Sequence, residues 1–264
     1  FTSYYDDLLL RRAGLIDDVT YLKLLTKTIN QVSQTPGRHV QTVAQASLDA
    51  WVKYYRQDEN TPNATVSYYT KGALVGLCLD LSLRAEGHSL DEVMRGLWKR
   101  CKAGPMREQD VLDELQAVTG RSWRKELQSW VHSTAELPLA KLLEDQGIRI
   151  HAEPGSFAQH LGLRHTDANG SVQVKAVLRG SAAEQAGFAA GDEWLGLEVG
   201  ARGQLGHWRV HKLEDVPVLL GKERKALALV SRDKQLLRLP LTVPQQSTVW
   251  RLETTSGRSS WPST

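Results

Sequence analysis

GSAAEQAGFAAGDEWLGL, residues 180–197, is the stretch that decides the fold of the second half of this chain. Its small residues predict a short helix over SAAEQAG, which ends at an Ala-Gly turn. The Gly-Asp pair at 191–192 then leads into EWLGLEV, an apolar run of strand length. SVQVKAVL, residues 171–178, precedes the stretch and alternates like a strand. The order strand, short helix, glycine turn and strand therefore predicts a small β-rich unit.

The same period of two extends outward from this stretch in both directions. IRIHAE (148–153), KALALVS (225–231) and LLRLPLTV (236–243) alternate or run apolar over strand length, and HKLEDVPVLLG (211–221) is the one other helical piece. We therefore predict a β-rich domain over residues 147–243. Residues 244–264 are polar and turn-rich apart from Trp250 and Trp261. We expect a C-terminal tail there, either an extension or partly disordered.

Residues 1–146 have the period of helices instead. Tyr5, Leu8 and Leu9 form one apolar stripe, and Ser89 with Glu92 has the spacing of a capping box that starts a helix. The predicted helices begin at residue 1, at Asp17, near Val43 (extending to Tyr55), at Ser67, at Ser89, near Glu108, near Ser122 and at Pro138. The chain should therefore form two domains, an all-α domain followed by a β-rich domain.

Composition excludes several functional classes. The chain has 264 residues with 41% hydrophobic and 24% charged residues, which is typical of globular proteins. Its 33 basic residues are scattered among 30 acidic ones, so we predict no nucleic-acid partner. The apolar run ALVGLCLDLSL (73–83) is short and contains Asp80, so we predict no membrane-spanning segment. Cys78 and Cys101 lie in apolar helical contexts and should be free thiols, which leaves both a cytoplasmic and a periplasmic location open.

The β-rich half resembles a circularly permuted PDZ domain of the bacterial type. HLGLRH (160–165) has the apolar-Gly-apolar form of a carboxylate-binding loop, and it precedes the decisive stretch as in that fold. In such a loop, successive backbone N–H groups bind the terminal carboxylate of a peptide, and the following strand accepts the peptide as an added strand. The resemblance implies a site formed by Leu161, Gly162, Leu163 and Arg164, with Leu213, Val216 and Pro217 on the opposite wall.

Two other readings of these residues stay open. Leu161 and Leu163 are equally consistent with positions in the hydrophobic core. Pro217 lies inside the predicted groove helix, where proline removes a hydrogen bond and can kink the helix. A packing role of this domain against the helical domain is therefore an alternative to peptide binding.

No complete active site is encoded in these residues. His207 and His211 have a His-x-x-x-His spacing but lack the glutamate of a HExxH motif, and they fall at a predicted strand-to-helix junction. The other six histidines stand alone or flank the loop at 160–165. The sequence also contains no GxSxG, P-loop or GxGxxG motif. We predict no metal ligands in this chain.

The helical half resembles a particular part of an enzyme family. FTSYYDDLLLRRAG (1–14) and the segment from TPGRHV to DLSLR (35–84) are similar to the C-terminal part of the catalytic domain of glycyl aminopeptidases. These are gluzincin zinc metallopeptidases that end in a PDZ domain. In that family a HExxH helix supplies two zinc-binding histidines and a catalytic glutamate, and a Glu-Gly-Phe-Thr-x-Tyr-Tyr pattern supplies the third ligand. The sequence begins at the Phe of that pattern, so we expect the ligands and the general base to lie upstream of Phe1.

The same resemblance assigns a catalytic role to SYYTKG, residues 67–72. Gluzincin aminopeptidases carry a Tyr-x-Lys-Gly segment whose tyrosine donates a hydrogen bond to the tetrahedral oxyanion, and the matching residues are Tyr69, Lys71 and Gly72. If Ser67 is the N-cap, Tyr69 falls in the first helical turn, where the helix dipole favours negative charge nearby. Spacing alone is also consistent with a buried structural tyrosine. Tyr68 is the second choice for this role, and Lys71 either contributes to the site or is simply exposed.

These observations lead to one main prediction and one alternative. The main prediction is the C-terminal fragment of a zinc aminopeptidase that removes small N-terminal residues, glycine or alanine, from peptides. The resemblance implies zinc in the parent enzyme and none in the fragment, which should be inactive alone. The alternative is a scaffold protein that binds C-terminal peptides in its PDZ groove and uses the helical half as an adaptor.

Overall fold

Helices with apolar stripes form the first part of the molecule. A computed structural model describes residues 1–102, 104–200, 206–245 and 247–255. Within the described residues, the helices of this part are α1 (Thr2–Arg12), α2 (Asp18–Ser33), α3 (Val43–Leu48), α4 (Thr61–Ala64), α5 (Tyr68–Ala85), α6 (Leu90–Cys101), α7 (Glu108–Thr119), α8 (Arg124–Trp130) and α9 (Leu139–Asp145). A 3₁₀ turn, Pro36–His39, lies between α2 and α3.

Side-chain caps fix where several helices begin. Asp17 accepts a hydrogen bond from the backbone N–H of Thr20, and Ser89 accepts one from Glu92. Each bond satisfies one of the N–H groups that the first turn of a helix leaves without a partner. The predicted start of α6 at Ser89 is therefore confirmed.

Helix α5 is the centre of the helical core. It is buried on most sides, and Leu77, Leu81 and Leu83 have no exposed surface. Asp80, which interrupts this apolar run, is also buried, and its carboxylate accepts hydrogen bonds from the Tyr4 hydroxyl (2.6 Å), the Arg84 Nε (2.9 Å) and the Leu90 N–H (2.9 Å). A buried carboxylate is tolerated only when it is paired in this way. Asp80 therefore links α1 and the start of α6 to α5.

The second part of the molecule is rich in strands. Its elements are β1 (Ile148–Pro154), α10 (Phe157–Leu161), β2 (Leu163–Ala168), β3 (Ser171–Val177), α11 (Ala182–Ala186), β4 (Glu193–Val199), β5 (Gly206–Arg209), α12 (Asp215–Leu220), β6 (Lys225–Arg232), β7 (Gln235–Thr242) and β8 (Thr248–Thr254). Among the described residues, one antiparallel sheet has the order β2-β3-β4-β6-β7, with β5 paired to β4. The structure thus has the predicted order, a helical part followed by a β-rich part.

The structure differs from the predicted C-terminal tail. Thr248–Thr254 form β8, which pairs antiparallel with β1, so that Ile150 lies opposite Leu252. The two strands pack on α2. There the side-chain amide of Asn30 donates a hydrogen bond to the Trp250 carbonyl and accepts one from the Trp250 N–H, both at 2.8 Å. Ile148 and Leu252 join the helical core. Residues 256–264, which include Trp261, lie outside the described residues.

A single asparagine connects the two parts at another point. The Asn63 side chain donates to the backbone carbonyl of Val177 at 2.8 Å and accepts from the backbone N–H of Arg179 at 2.8 Å. Asn63 is buried at the end of the short helix α4. The end of β3 is therefore held against the helical part by both hydrogen-bonding groups of one amide.

Three further details differ from or agree with the predictions. The predicted helix from Val43 to Tyr55 is α3, which ends at Leu48, and turns continue to Tyr55. Pro217 is the third residue of α12 and therefore lies in its first turn, not in the middle of the helix. Backbone N–H groups of a first turn have no partner within the helix, so the N–H that proline lacks costs α12 no hydrogen bond. Cys78 and Cys101 are free as predicted, although only Cys78 is fully buried, and burial raises the pKa of its thiol.

No described helix combines the length and the apolar character that a bilayer span requires.

Candidate functional site

Tyr69 lies in the first turn of α5, where the sequence places it. Ser67 is the N-cap residue, and its hydroxyl accepts a hydrogen bond from the Thr70 N–H. Tyr69 is not buried, because 44% of its surface is exposed. The alternative of a buried structural tyrosine therefore does not describe this residue. The residue is therefore partly exposed at the N-terminal end of α5.

Four tyrosines pack together at this point, and we call Tyr54, Tyr55, Tyr68 and Tyr69 the tyrosine cluster. The Tyr55 hydroxyl lies 2.9 Å from that of Tyr69 and 3.0 Å from that of Tyr68. The rings of Tyr68 and Tyr69 are 4.3 Å apart between centroids, and the Tyr54 ring contacts both. A chain of hydroxyl groups therefore lies at the start of α5.

Sequence reasoning missed Tyr54 and Tyr55. They follow α3 in a turn segment that the sequence predicted as the end of a helix, and nothing in their local pattern connects them to α5. A weak signal was present, since two adjacent tyrosine pairs, 54–55 and 68–69, flank one loop. Two such pairs at the ends of one short connection can come into contact when the loop closes.

The hydrogen bonds of the cluster change the acidity of its members. The hydroxyls of Tyr55 and then Tyr68 hold the pKa of Tyr69 below the usual value of a tyrosine. The pKa of Tyr68 is raised, first by its hydrogen bond with Tyr55 and then by Tyr69. Tyr69 is thus the most acidic hydroxyl of these hydrogen-bonded groups, and a more acidic phenol is a stronger hydrogen-bond donor. This property favours Tyr69 over Tyr68 for stabilising an oxyanion.

An exposed apolar surface lies beside the tyrosine cluster. Leu48 and Trp51 are 84% and 80% exposed, and the Trp51 ring packs on Tyr55 at 5.2 Å between centroids. Val52 is also exposed. Adjacent exposed apolar side chains of this kind are typical of surfaces that bind a ligand or another protein segment. The surface next to Tyr69 therefore has the character of a binding site.

Lys71 is not part of this cluster. Two residues along an α-helix correspond to a rotation of about 200°, so its side chain leaves α5 on another side from Tyr69. Lys71 is only 3% exposed, and its Nζ donates to the Arg38 carbonyl at 3.4 Å. Burial lowers the pKa of Lys71, and Glu136 opposes this shift. Lys71 lines a separate cavity of about 630 Å³ with Arg38 and Glu136. The prediction that Lys71 is simply exposed is therefore wrong, and its contribution to the site stays a prediction.

Most apolar residues predicted for peptide binding lie in the core of the β-rich part. Leu161, Leu163, Leu213 and Val216 are all at most 3% exposed and belong to one hydrophobic cluster. The Leu213 N–H donates to the Asp167 carboxylate of β2 at 3.3 Å, which ties the residues before α12 to that strand. Leu163 and Arg164 also line a cavity that faces α2. Peptide binding by these residues stays a prediction.

Gly162 has the backbone conformation that the predicted loop needs. Its φ of +71° lies in the left-handed region that favours glycine, and a Cβ there would lie 2.3 Å from the Ser181 Cβ. Its N–H, however, is already bonded to the carbonyls of Ala158 and Gln159 at the end of α10. This backbone donor is therefore used by the helix cap.

The residues described here do not fit a zinc site of the gluzincin kind. One group of three described residues has ligand atoms close enough together to hold a metal ion. The group lies in the β-rich part and consists of His165, Asp167 and Glu214. Asp167 and Glu214 are exposed there, and the Asp167 carboxylate already accepts the Leu213 N–H. His207 lies in β5 and His211 follows it, so their spacing does not place both on one helix turn. None of these groups forms a His-rich site beside Tyr69.

Comparisons with known proteins relate the chain to peptidases. Residues 1–75 match the family described as M61 glycyl aminopeptidase. A crystal structure of an aminopeptidase N family protein from Idiomarina loihiensis matches with a TM-score of 0.85 and 28% identity. The match covers 96% of this chain and 45% of the other, so the chain spans less than half the length of that protein. The predicted resemblance to glycyl aminopeptidases is confirmed, and the chain is similar to part of a peptidase.

Two other comparisons say nothing about the fold or function of this chain. The crystal structure of the HtrA3 PDZ domain bound to a phage-derived ligand, FGRWV, matches 39% of this chain and 92% of its own length at 15% identity. Its TM-score of 0.24 is too low to support a statement about fold. The search of curated proteins gave no significant match.

Proposed function

We propose that these residues are the C-terminal portion of a zinc-dependent aminopeptidase that removes small N-terminal residues, glycine or alanine, from peptides. The proposal is supported by the family match over residues 1–75 and by the similarity of nearly the whole chain to part of an aminopeptidase family structure. The observation that carries it is the exposed side chain of Tyr69 at the start of α5, whose hydroxyl lies 2.9 Å from the hydroxyl of Tyr55.

Tyr69 would act on the oxyanion of the tetrahedral intermediate. When a nucleophile adds to the carbonyl carbon of the scissile peptide bond, negative charge develops on the carbonyl oxygen. The Tyr69 O–H donates a hydrogen bond to that oxygen, and the positive end of the α5 dipole lies nearby. Tyr55 keeps Tyr69 acidic and oriented, because their hydroxyls are hydrogen-bonded. One donor of this type contributes about 3 kcal/mol to transition-state stabilisation.

The zinc ligands and the general base would come from outside these 264 residues. The sequence contains no HExxH motif, and the described residues place no histidine cluster beside Tyr69. We therefore use the term parent enzyme for the longer protein in which a zinc-binding segment completes the site. The exposed apolar surface at Leu48, Trp51 and Val52 is a place where substrate or that segment would contact this part.

The test compares the 264-residue chain with the parent enzyme. Both are incubated with zinc and with glycyl and alanyl p-nitroanilides, and bound zinc is measured by mass spectrometry after gel filtration. The proposal predicts turnover and about one zinc per molecule for the parent enzyme, and neither for the shorter chain. Zinc-dependent turnover by the shorter chain alone would refute the assignment of the metal site.

A second function, binding of peptide C-termini, is favoured by one feature of the β-rich part. Among the described strands, β2 is at the edge of its sheet, with β3 on one side only, and it directly follows the left-handed turn at Gly162. An edge strand offers backbone groups to an added peptide strand. We propose that the β-rich part binds peptides along β2 as a PDZ-type module. Binding of a labelled peptide that depends on its free carboxyl terminus is the expected result.

A further inference from the structure

The cavity that Lys71 lines lies among α2, α5, α9 and the C-terminal strand β8. Each of these elements contributes to its wall, for example Ile29 from α2, Leu74 from α5, Leu139 from α9 and Trp250 from β8. Its volume of about 630 Å³ is within the range of small-molecule sites, which is about 300 to 1,000 Å³. The cavity is therefore large enough for a small organic ligand.

Apolar side chains form a large part of the wall. Ile29, Val32, Leu74 and Leu139 are each at most 8% exposed. Trp250 adds an aromatic ring that is partly buried against the same core. Contact with such a wall removes the apolar surface of a ligand from water, which stabilises the complex. This wall therefore favours a ligand with an apolar body.

A buried ammonium group borders the same cavity. Lys71 is 3% exposed, and its Nζ donates to the Arg38 carbonyl at 3.4 Å, which is long for a hydrogen bond. An ammonium group has three donors, and this is the one hydrogen bond that the described residues give it. No carboxylate among the described residues forms an ion pair with Lys71. A buried ammonium with so few partners favours an anionic acceptor.

The neighbouring charges leave the cavity with an excess of positive charge. The lining residues include three cations, Arg38, Lys71 and Lys141, and one anion, Glu136. The Glu136 carboxylate is already paired, because it lies 2.9 Å from the Arg38 Nε and 3.6 Å from the His39 Nε2. Burial lowers the pKa of Lys71, Glu136 opposes this shift only in part, and Arg38 adds to it. An anion beside Lys71 would supply the missing counter-charge.

The donors that remain available favour a ligand with one negative charge. The Asn30 amide, which also lines the cavity, is used by the carbonyl and the N–H of Trp250. The Arg38 Nε is used by Glu136. A phosphate monoester carries nearly two charges and three acceptor oxygens, so one buried ammonium would leave it poorly satisfied. A carboxylate matches the single ammonium of Lys71.

We propose that this cavity binds small monocarboxylates with an apolar body, whose carboxylate pairs with the Lys71 ammonium and whose apolar part contacts Leu74, Leu139 and Trp250. The site is independent of the oxyanion role of Tyr69 and of peptide binding along β2. It also gives the buried lysine of α5 a ligand of opposite charge.

The first experiment measures binding by isothermal titration calorimetry, both to the 264-residue chain and to the parent enzyme. The probes are octanoate and phenylpropanoate, with octanamide and phenylpropanamide as neutral probes of the same shape. The proposal predicts that the two acids bind at least about tenfold more tightly than their amides. Lys71→Met should weaken binding of the acids about tenfold and leave the amides unchanged, since it removes one charged hydrogen bond.

The second experiment follows the pKa of Lys71 by NMR of labelled lysine side chains, with and without octanoate. A carboxylate next to the ammonium stabilises its charged form, so octanoate should raise the pKa of Lys71. This measurement uses the unchanged chain and does not depend on how Lys71→Met folds. An unchanged pKa of Lys71 with octanoate bound would overturn the proposed ion pair.

Lys141→Met is the matched control, because Lys141 lines the same cavity but is exposed to solvent. Solvent screens an exposed charge, so octanoate binding should change less than about threefold. Equal losses in Lys71→Met and Lys141→Met would overturn the role of Lys71.

Three other results would overturn the site as a whole. Equal binding of acids and amides would show that no charge is recognised, and no binding of any probe would show that the cavity takes no such ligand. Binding to the 264-residue chain but not to the parent enzyme would show that another segment of the longer protein covers the cavity. All three would leave the proposed role of Tyr69 intact, because that role is tested by turnover.

Discussion

The hydroxyl oxygens of Tyr55 and Tyr69 lie 2.9 Å apart, although the two residues belong to different segments of the helical part. Tyr55 ends a turn region after α3, and Tyr69 is in the first turn of α5. The hydrogen bond between them joins the exposed surface at Trp51 to the helix start that carries the proposed oxyanion donor. It also lowers the pKa of Tyr69.

The first prediction concerns this shift. Tyr55→Phe removes the hydroxyl that most lowers the pKa of Tyr69, so the pKa of Tyr69 should rise toward the usual value near 10. Ring-labelled tyrosine NMR across a pH titration measures it. In the parent enzyme the alkaline limb of activity should move to higher pH, because Tyr69 donates only while it is protonated.

Tyr54→Phe is the control for that titration. The Tyr54 hydroxyl accepts a hydrogen bond from the Ser67 hydroxyl at 3.3 Å, and the Tyr54 ring packs on the ring of Tyr69. Tyr54→Phe therefore removes one hydroxyl of the tyrosine cluster but keeps the hydrogen bond between Tyr55 and Tyr69. An unchanged pKa of Tyr69 in Tyr55→Phe would contradict the assigned hydrogen bond.

A second prediction uses the buried Lys71. Burial lowers the pKa of Lys71, so the unfolded chain binds this proton more tightly than the folded chain does. The free energy of unfolding therefore rises with pH between the pKa of the folded chain and the usual lysine value of 10.5. Lys71→Met removes the penalty and should raise the free energy of unfolding by about 1 kcal/mol at pH 7. The gain should shrink as the pH approaches that value.

Urea unfolding at several pH values tests this. Lys141→Met is the matched control, because Lys141 lines the same cavity but is exposed, and its effect should stay within about 0.5 kcal/mol. A loss of stability in Lys71→Met at pH 7 would show that the buried ammonium is stabilising.

The third prediction concerns Asp80. Its carboxylate accepts three hydrogen bonds from α1, α5 and the start of α6 and is 1% exposed. Asp80→Ala leaves a guanidinium, a hydroxyl and a backbone N–H without this acceptor, so the free energy of unfolding should fall by about 3 to 5 kcal/mol. Tyr4→Phe removes one of the three bonds and should cost about 1 to 2 kcal/mol. Equal effects of the two substitutions would contradict this account of the core.

The fourth prediction compares two glycines. A Cβ at Gly37 would lie 2.0 Å from the backbone oxygen of Thr65, whereas a Cβ at Gly72 in α5 would meet nothing within 4 Å. Gly37→Ala should therefore destabilise the chain by about 3 kcal/mol, because backbone must move. Gly72→Ala should stabilise it by about 0.5 to 1 kcal/mol through helix propensity. Thermal unfolding of both variants gives the comparison, and a stable Gly37→Ala variant would refute the close approach.

Local patterns predicted much of this fold. The change of period near residue 147, the cap at Ser89 and the position of Tyr69 follow from neighbouring residues alone. The pairing of β1 with β8 joins segments about a hundred residues apart, and no local signal encodes such a contact. Leu161 and Leu163 were ambiguous for a related reason, since an apolar residue beside a glycine turn suits both a groove and a core. Tyr55 was missed because its role depends on how one loop closes.

The most direct test of the central claim is the turnover number of the parent enzyme carrying Tyr69→Phe, measured beside Tyr68→Phe with a glycyl p-nitroanilide. Loss of one oxyanion donor lowers kcat about 100-fold or more. The account predicts this loss for Tyr69→Phe with unchanged zinc content, and less than about a tenfold loss for Tyr68→Phe. A kcat of Tyr69→Phe within about threefold of the unchanged enzyme would contradict the claim that Tyr69 stabilises the oxyanion.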